Sequence, residues 1–271
     1  GMDMSEINKQ NDRLNYLLEA FKSDSKSYKD INIPSDVQEK VRLLRSLMNI
    51  RMPGKMSDAI IKVQDEYLKE CAKKKGIVEV SDIEIIKENI SIWQGDITRL
   101  KLDAIVNAAN SQMLGCFIPM HTCIDNQIHT FAGVQLRDEC NRKMNELRKI
   151  YGKGYEQPTA VPMLTDAYNL PAKKVIHIVG PIVDSRLTSK KEEELSLCYE
   201  NTLNMCQAND LRSVAFCCIS TGVFHFPNRK AAEIATATVQ KWNTEHPGAM
   251  DRIVFNVFKD EDRGYYEEFL R

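Results

Sequence analysis

Residues 104–133 constrain this chain more than any other stretch. Ala104-Ile105-Val106 is a short, unbroken apolar run that ends in Asn107-Ala108-Ala109-Asn110. A strand with no polar face suits a sheet covered on both sides. SQMLG then leads into CFIPMHTCIDNQ, a loop carrying Cys116, His121 and Cys123. The loop is predicted to close at Asp125 and to run into a helix from about Gln127. A buried strand, a polar turn and a cysteine–histidine loop therefore follow one another without interruption.

The spacing C-x4-H-x-C puts two thiolates and an imidazole, the ligands zinc prefers, within reach of one ion. Structural zinc sites are closed by four protein ligands, whereas catalytic sites have three and keep a position open. No fourth Cys or His stands at metal spacing; His129 is nearest and falls a full turn into the predicted helix. Three ligands beside a binding loop favour a Zn2+ that touches substrate. The other reading is two buried thiols and an unrelated histidine, and spacing alone leaves both open.

Helical and extended patterns are distributed in two blocks. Residues 5–22, 34–47 and 57–74 carry apolar side chains at helical spacing, and Lys73-Lys74-Lys75-Gly76 is a suitable stop for the third helix. Residues 1–76 thus read as a helical N-terminal extension with no visible chemistry, expected to pack on the rest. From Ile77 the pattern turns to strands: IVEV, ISIWQ, then 104–107, 159–164, 175–179, 213–219 and 252–258. These alternate with helices predicted over 127–149, 189–208, 228–243 and 265–270. Residues 77–271 are therefore expected to form a three-layer α/β domain around a mixed, mostly parallel sheet. In such sheets ligands bind beyond the carboxyl ends of the strands. NAAN, Ser220-Thr221-Gly222-Val223-Phe224 and the segment after Phe258 should meet there.

Each of those segments has usable chemistry. Gly222 allows close backbone approach to phosphate, and successive amides form an anion nest ahead of a helix N-terminus. The Asn110 amide fits ribose hydroxyls. The Asp96 carboxylate can accept from an exocyclic amine or can cap a turn. Phe258 can stack on a base or pack in the core, and Asp125 can serve the site or cap the helix at Gln127. Asn107 reads as a strand-end turn residue, and His177, inside strand VIHIV, as a satisfied core histidine. The six cysteines outside the loop read as core.

GDITRLKLDAIVNAANSQMLG (95–115) and ISTGVFHFP (219–227) resemble the binding loops of macrodomains, the ADP-ribose-binding α/β modules. Macrodomain hydrolases usually follow NAAN with a glycine-rich loop ending in D-x-x-I-H. Here Asp125-Asn126-Gln127-Ile128-His129 is kept and the glycine run is replaced by the Cys/His insertion. In this the chain resembles the zinc-containing macrodomains of bacteria, which also carry a helical N-terminal extension and remove ADP-ribose from proteins. The resemblance implies an α/β/α macrodomain with adenine at Asp96, Ile97 and Phe258, and diphosphate at Ser220, Thr221, Gly222 and Val223. It implies the distal ribose over Phe224, and Asn110 and Asp125 orienting that ribose and a water. It also implies hydrolysis of mono-ADP-ribose from an acidic side chain, a lipoyl-carrier protein as partner, and a link to a sirtuin-type transferase. A bound Zn2+ would lower a water's pKa from about 15.7 to about 7, polarise an oxygen or orient the substrate. The rivals are a reader that binds ADP-ribose without cleaving it, a hydrolase of a small ester such as O-acetyl-ADP-ribose, and a zinc that only staples the loop.

Charge excludes other classes. With 37 basic and 38 acidic side chains intermixed along 271 residues, the chain has no bulk attraction for nucleic acid or membrane surfaces. No apolar run approaches the roughly 20 residues of a membrane span. Gly1 before Met2 reads as an expression scar, and no secretory signal follows. Eight cysteines in that setting point to a reducing cytoplasm.

Overall fold

A computed structural model of the chain describes residues 4–271; Gly1 and Met2 lie outside them. The first block is three helices, α1 (Met4–Asp24), α2 (Val37–Ile50) and α3 (Asp58–Lys75). Asp36 caps α2 by accepting from the Glu39 amide, and Ser57 caps α3 by accepting from Ile60. Lys75 ends α3 and Gly76 follows at φ +95°, as the lysine–glycine run predicts. Leu14, Leu17, Leu18 and Phe21 of α1 close on Leu44 and Leu47 of α2 and Tyr67 and Leu68 of α3. Burying each such side chain contributes about 1.5–3 kcal/mol, so the three helices have a small core of their own. Val37 and Val41 instead face solvent.

The rest of the chain runs β1 (Val78–Glu79), β2 (Ile90–Gln94), β3 (Leu100–Lys101), β4 (Ala104–Ala109), α4 (Ile124–Ala132), α5 (Val134–Tyr151), β5 (Met163–Asp166) and β6 (Lys174–Val179). It continues through α6 (Ser189–Ala208), β7 (Ser213–Phe216), α7 (Asn228–Glu245) and β8 (Arg252–Val257) to α8 (Asp260–Leu270). Six strands form the main sheet in the order β2-β8-β7-β4-β6-β5, all parallel except β5 against β6. Helices α4 and α5 cover one face and α6, α7 and α8 the other, giving the expected three-layer fold. The centre of the sheet is dry: Ile105, Val106, Ile176, Val214 and Val254 are fully enclosed.

Some boundaries differ from the sequence expectation. IVEV contributes only the two-residue β1, paired with β3 outside the main sheet. The strand expected over 159–164 lies at 163–166, because the residues before Met163 follow a turn held by Ala160, whose amide reaches the Val179 carbonyl. The helix expected over 127–149 begins at Ile124 and breaks at Gly133, whose φ of +103° ends α4 and redirects α5. A Cβ at Gly133 would lie 2.7 Å from Gln64 Nε2. That contact is purposeful, since Gln64 Oε1 accepts from the Val134 amide at 2.9 Å, satisfying a free donor at the start of α5. Cys217 and Cys218 lie just beyond β7 rather than within it, and α8 begins at Asp260, not Tyr265.

Candidate functional site

Parallel β2, β8, β7, β4 and β6 bring their carboxyl ends to one edge, so Gly95-Asp96, Phe258, Ile219–Phe224, Asn110 and Gly180 emerge together. At one end, Asp96 accepts from the Thr98 amide at 2.9 Å and from its hydroxyl at 2.6 Å, and so caps a 3-10 turn over Ile97–Arg99. Its other oxygen meets Lys75 Nζ of α3 at 3.2 Å. Burial works to raise this carboxyl's pKa, but the Thr98 hydrogen bonds and Lys75 prevail and hold it below the usual range. Ile97 is 1% exposed, its side chain in the main core, so only its backbone can face a nucleotide. Phe258 is 78% exposed and free of the core, which leaves its ring open to stack.

In the next loop the left-handed residues are Ser220 (φ +67°) and His225 (φ +61°), not Gly222. The amides of Gly222, Val223 and Phe224 donate to no backbone carbonyl among the described residues. A row of free amides ahead of α7 suits an anion. Nothing stands within 4 Å of a Cβ placed on Gly222. The tight contact is elsewhere: a Cβ on Gly180 would lie 2.1 Å from Ser220 Oγ. Gly180 is therefore the glycine the loop cannot lose, and its place directly after β6 was the available signal. Phe224 is partly buried against the cluster of Ala109, Met113, Met144, Met163 and Val179.

Beyond β4, Asn110 is exposed and shapes the turn, Oδ1 accepting from the Gln112 amide and Nδ2 donating to the Gly115 carbonyl. Asn107 is not a turn residue. It is fully buried inside β4, and its amide nitrogen bridges Asp125 Oδ1 at 2.8 Å and His177 Nδ1 at 3.1 Å. With Nδ1 accepting, His177 Nε2 carries the proton and donates to Thr165 Oγ1 at 2.9 Å. His177 is thus the satisfied core histidine expected of it. Asp125 does not cap the helix; it is the second residue of α4, buried beside His129. Burial pushes its carboxyl up to about 6, against the opposing pulls of Asn107 and Arg137. An asparagine in the middle of an apolar strand was the sequence signal for this network.

Cys123 takes the cap position of α4, its sulfur accepting from the Asn126 amide at 3.4 Å. Cys116 Sγ lies 3.7 Å from His121 Nδ1, and the three donor atoms of Cys116, His121 and Cys123 lie within 4.8 Å of one another. Tetrahedral zinc, with bonds of about 2.3 Å to sulfur and about 2.0–2.1 Å to nitrogen, requires S···N separations of about 3.6 Å. The donor set fits that ion. Burial, joined by neighbouring Cys116 and Asp125, pushes the Cys123 thiol up to about 12, so thiolate here calls for a nearby cation. Gly115 must stay small: its φ is +86° and an added Cβ would strike the His129 ring at 2.9 Å.

A second group, His129, Cys140 and His177, also has donor atoms within 4.8 Å. Both His177 nitrogens are already engaged, and burial lowers the pKa of both imidazoles and raises that of the thiol. That group is a neutral core network.

Comparison with known proteins agrees with this fold. A model for the Macro domain matches residues 106–235. A protein-ADP-ribose hydrolase of Treponema medium is 46% identical over 265 residues, which span 96% of this chain and 99% of that protein. The chain belongs to the macrodomain family. A protein-ADP-ribose hydrolase of Staphylococcus aureus is 42% identical over 260 residues, 95% of each chain. The crystal structure of the Trypanosoma brucei macrodomain in complex with ADP-ribose matches 83% of this chain and 95% of its own at a TM-score of 0.64 and 28% identity. Residues 1–105, which include the helical extension, lie outside the Macro model, whereas the matches to the two hydrolases span nearly all of them.

Proposed function

We propose that the protein hydrolyses mono-ADP-ribose from modified protein side chains, with a Zn2+ held by Cys116, His121 and Cys123. The carrying observation is the pairing of a zinc-shaped donor set with a buried carboxylate two residues beyond Cys123, at the carboxyl edge of the parallel strands in a fold whose Trypanosoma brucei relative was solved in complex with ADP-ribose. Free amides at Gly222–Phe224 would hold the diphosphate, Phe258 would cover the base, and Asn110 would contact the distal ribose. Asn107 holds one Asp125 oxygen in place. Asp125, with its pKa raised by burial, can take the proton of an attacking water. The water oxygen then bonds to the anomeric carbon and the side-chain carboxylate leaves with the electron pair. When bound, Zn2+ would supply Lewis-acid polarisation and orientation at this end of the ligand. An acidic ester linkage fits because a carboxylate is a good leaving group; a lipoyl-carrier substrate rests on the family resemblance, and a cytoplasmic setting on the eight cysteines. Among the described residues, no helix is long and apolar enough to cross a membrane.

Single-turnover release of ADP-ribose from a glutamate-modified protein tests this reading. Release by the intact protein, lost in Cys116→Ala and after chelation with melting unchanged, supports it. Binding without release would make the protein a reader. Faster turnover of O-acetyl-ADP-ribose than of modified protein would make the small ester the substrate. Loss of melting temperature together with activity on chelation would make the ion a staple.

A further inference from the structure

The loop over 114–123 has no regular secondary structure and includes a left-handed non-glycine residue at Met120, φ +62°. Its backbone is nevertheless gripped at about every second residue, and the grips come from two sources. The domain holds the two ends. Arg137 of α5 donates to the carbonyls of Leu114 (2.7 Å) and Cys116 (3.4 Å), Asn126 to that of Ile118 (2.9 Å), and Gln127 to that of Thr122 (2.7 Å). The extension holds the middle. Asn49 Oδ1 of α2 accepts from the Met120 amide at 3.0 Å, and Arg45 Nη2 donates to the His121 carbonyl at 3.0 Å. Arg45 also reaches Asn126 Oδ1 at 3.0 Å, and the Asn126 amide is the one that Cys123 Sγ caps.

Arg45 and Asn49 stand four residues apart on one helix, so a single face of α2 presents both. Asn49 is itself fixed from the domain side. Its side-chain nitrogen donates to Thr130 Oγ1 and its carbonyl accepts from Arg137 Nη1, each at 3.0 Å. Ile118, at the tip of the loop, is more than half exposed and offers little apolar packing of its own. The only side chains outside 114–130 that hydrogen-bond the His121 turn, among the described residues, are those of α2.

We propose that the N-terminal extension is a working part of the Cys/His centre: Arg45 and Asn49 are positioning residues that fix the Met120–His121 turn, holding His121 Nδ1 against the two sulfurs before an ion arrives. A loop held in its liganded shape loses less freedom on binding, and residues that orient metal ligands typically affect affinity 10- to 100-fold. The extension is then not an appendage, and a macrodomain with this loop but without these helices would hold the ion weakly. The proposal assigns loop order to α2 and deepens the zinc reading above.

The test uses the full chain with Arg45→Met, Arg45→Lys and Asn49→Ala. Amide hydrogen exchange on ion-free protein reads loop order without reference to any metal. Exchange across 116–123 should rise at least tenfold in Arg45→Met and Asn49→Ala, with exchange in β4 and the 219–226 loop unchanged. Arg45→Lys, which keeps a donor, should fall between. Titration with Co2+ reads the ligand set through its thiolate charge-transfer band. Apparent Co2+ and Zn2+ affinities should fall 10- to 100-fold in Arg45→Met, with ADP-ribose affinity within twofold of wild type. Exchange rates and cobalt spectra identical to wild type in both Arg45→Met and Asn49→Ala would overturn the proposal. If Asn49→Ala melts early because Asn49 is buried, Arg45→Met decides, since Arg45 is half-buried. If wild type takes up neither ion, the zinc reading falls, and the exchange rates alone decide the role of α2.

Discussion

Asn107 shows what one side chain can fix. It has two amide hydrogens and spends one on Asp125 and one on His177. Asn107→Ala leaves the buried Asp125 oxygen and the His177 ring nitrogen without a donor, at about 1–3 kcal/mol each. Stability should fall by that order in urea denaturation. On the proposed function, release of ADP-ribose should fall on the order of 10–100-fold with ligand affinity nearly unchanged, because Asn107 is fully buried and out of reach of a ligand. Gly180→Ala should do the reverse. Its Cβ collides with Ser220 Oγ and displaces the 219–226 loop, so, on the proposed function, calorimetry should show ADP-ribose binding weakened about tenfold or more while Asp125 stays in place. Neither position carries reactive chemistry of its own. Asn107 announced itself as a polar residue in an apolar strand, and Gly180 as a glycine at a strand end.

Among the elements, the broken α4–α5 helix is the instructive case. Helical spacing runs through residues 127–149, so periodicity alone predicts one helix. Gly133 interrupts it, and the kink is held by Gln64 from α3 capping Val134 and by the Ala132 carbonyl accepting from Asn169. Gly133→Ala would force a left-handed alanine, at roughly 1–2 kcal/mol, and push into Gln64. Chemical denaturation should show a loss of about 2–4 kcal/mol once the steric shift is included. The same element shows why the end of the Cys/His loop was misplaced. Asp125 has the usual chemistry of a cap, but the cap is Cys123, a weaker acceptor that a sequence rule ranks low. A cysteine can thus start a helix, and the Asn126 amide it caps works against the burial that raises its pKa.

At the scale of the whole molecule, polar side chains of the three N-terminal helices reach across to the rest of the chain, beside an apolar contact at Val134. Arg45, Asn49, Gln64, Asp65 and Lys75 all cross the junction. Such a junction gains its strength from satisfied hydrogen bonds, and each orphaned partner would be costly. Folding stability should also depend on pH through His177. Burial, with Lys143 adding, lowers its folded-state pKa to about 3, against an ordinary value of about 6.5. Between those values the unfolded chain binds the proton and the folded one does not. Stability from this group is therefore complete above about pH 6.5 and declines as pH falls towards 3, at up to about 1.4 kcal/mol per pH unit. Asp125, with a raised pKa, acts in the opposite sense below about pH 6. Urea midpoints at pH 7.5, 5.5 and 4.5 should accordingly fall more steeply in wild type than in His177→Gln, which keeps hydrogen-bonding groups but no titrating ring.

The sequence by itself determined the alternation of strands and helices, the dry centre of the sheet, the three helices ahead of it and the segments at its carboxyl edge. These follow from periodicity, capping residues and turn chemistry, all local in the chain. Local spacing also nominated Cys116, His121 and Cys123. Only the tertiary structure decided that Asn107 serves Asp125, that Gly180 packs against Ser220 while Gly222 stands in open space, and that Arg45 and Asn49 reach the Met120–His121 turn. Those pairings join residues 18, 40, 76 and 71 positions apart. Hydrogen-bond satisfaction inside a closed core is a property of what the fold brings together, and no periodicity along the chain records it.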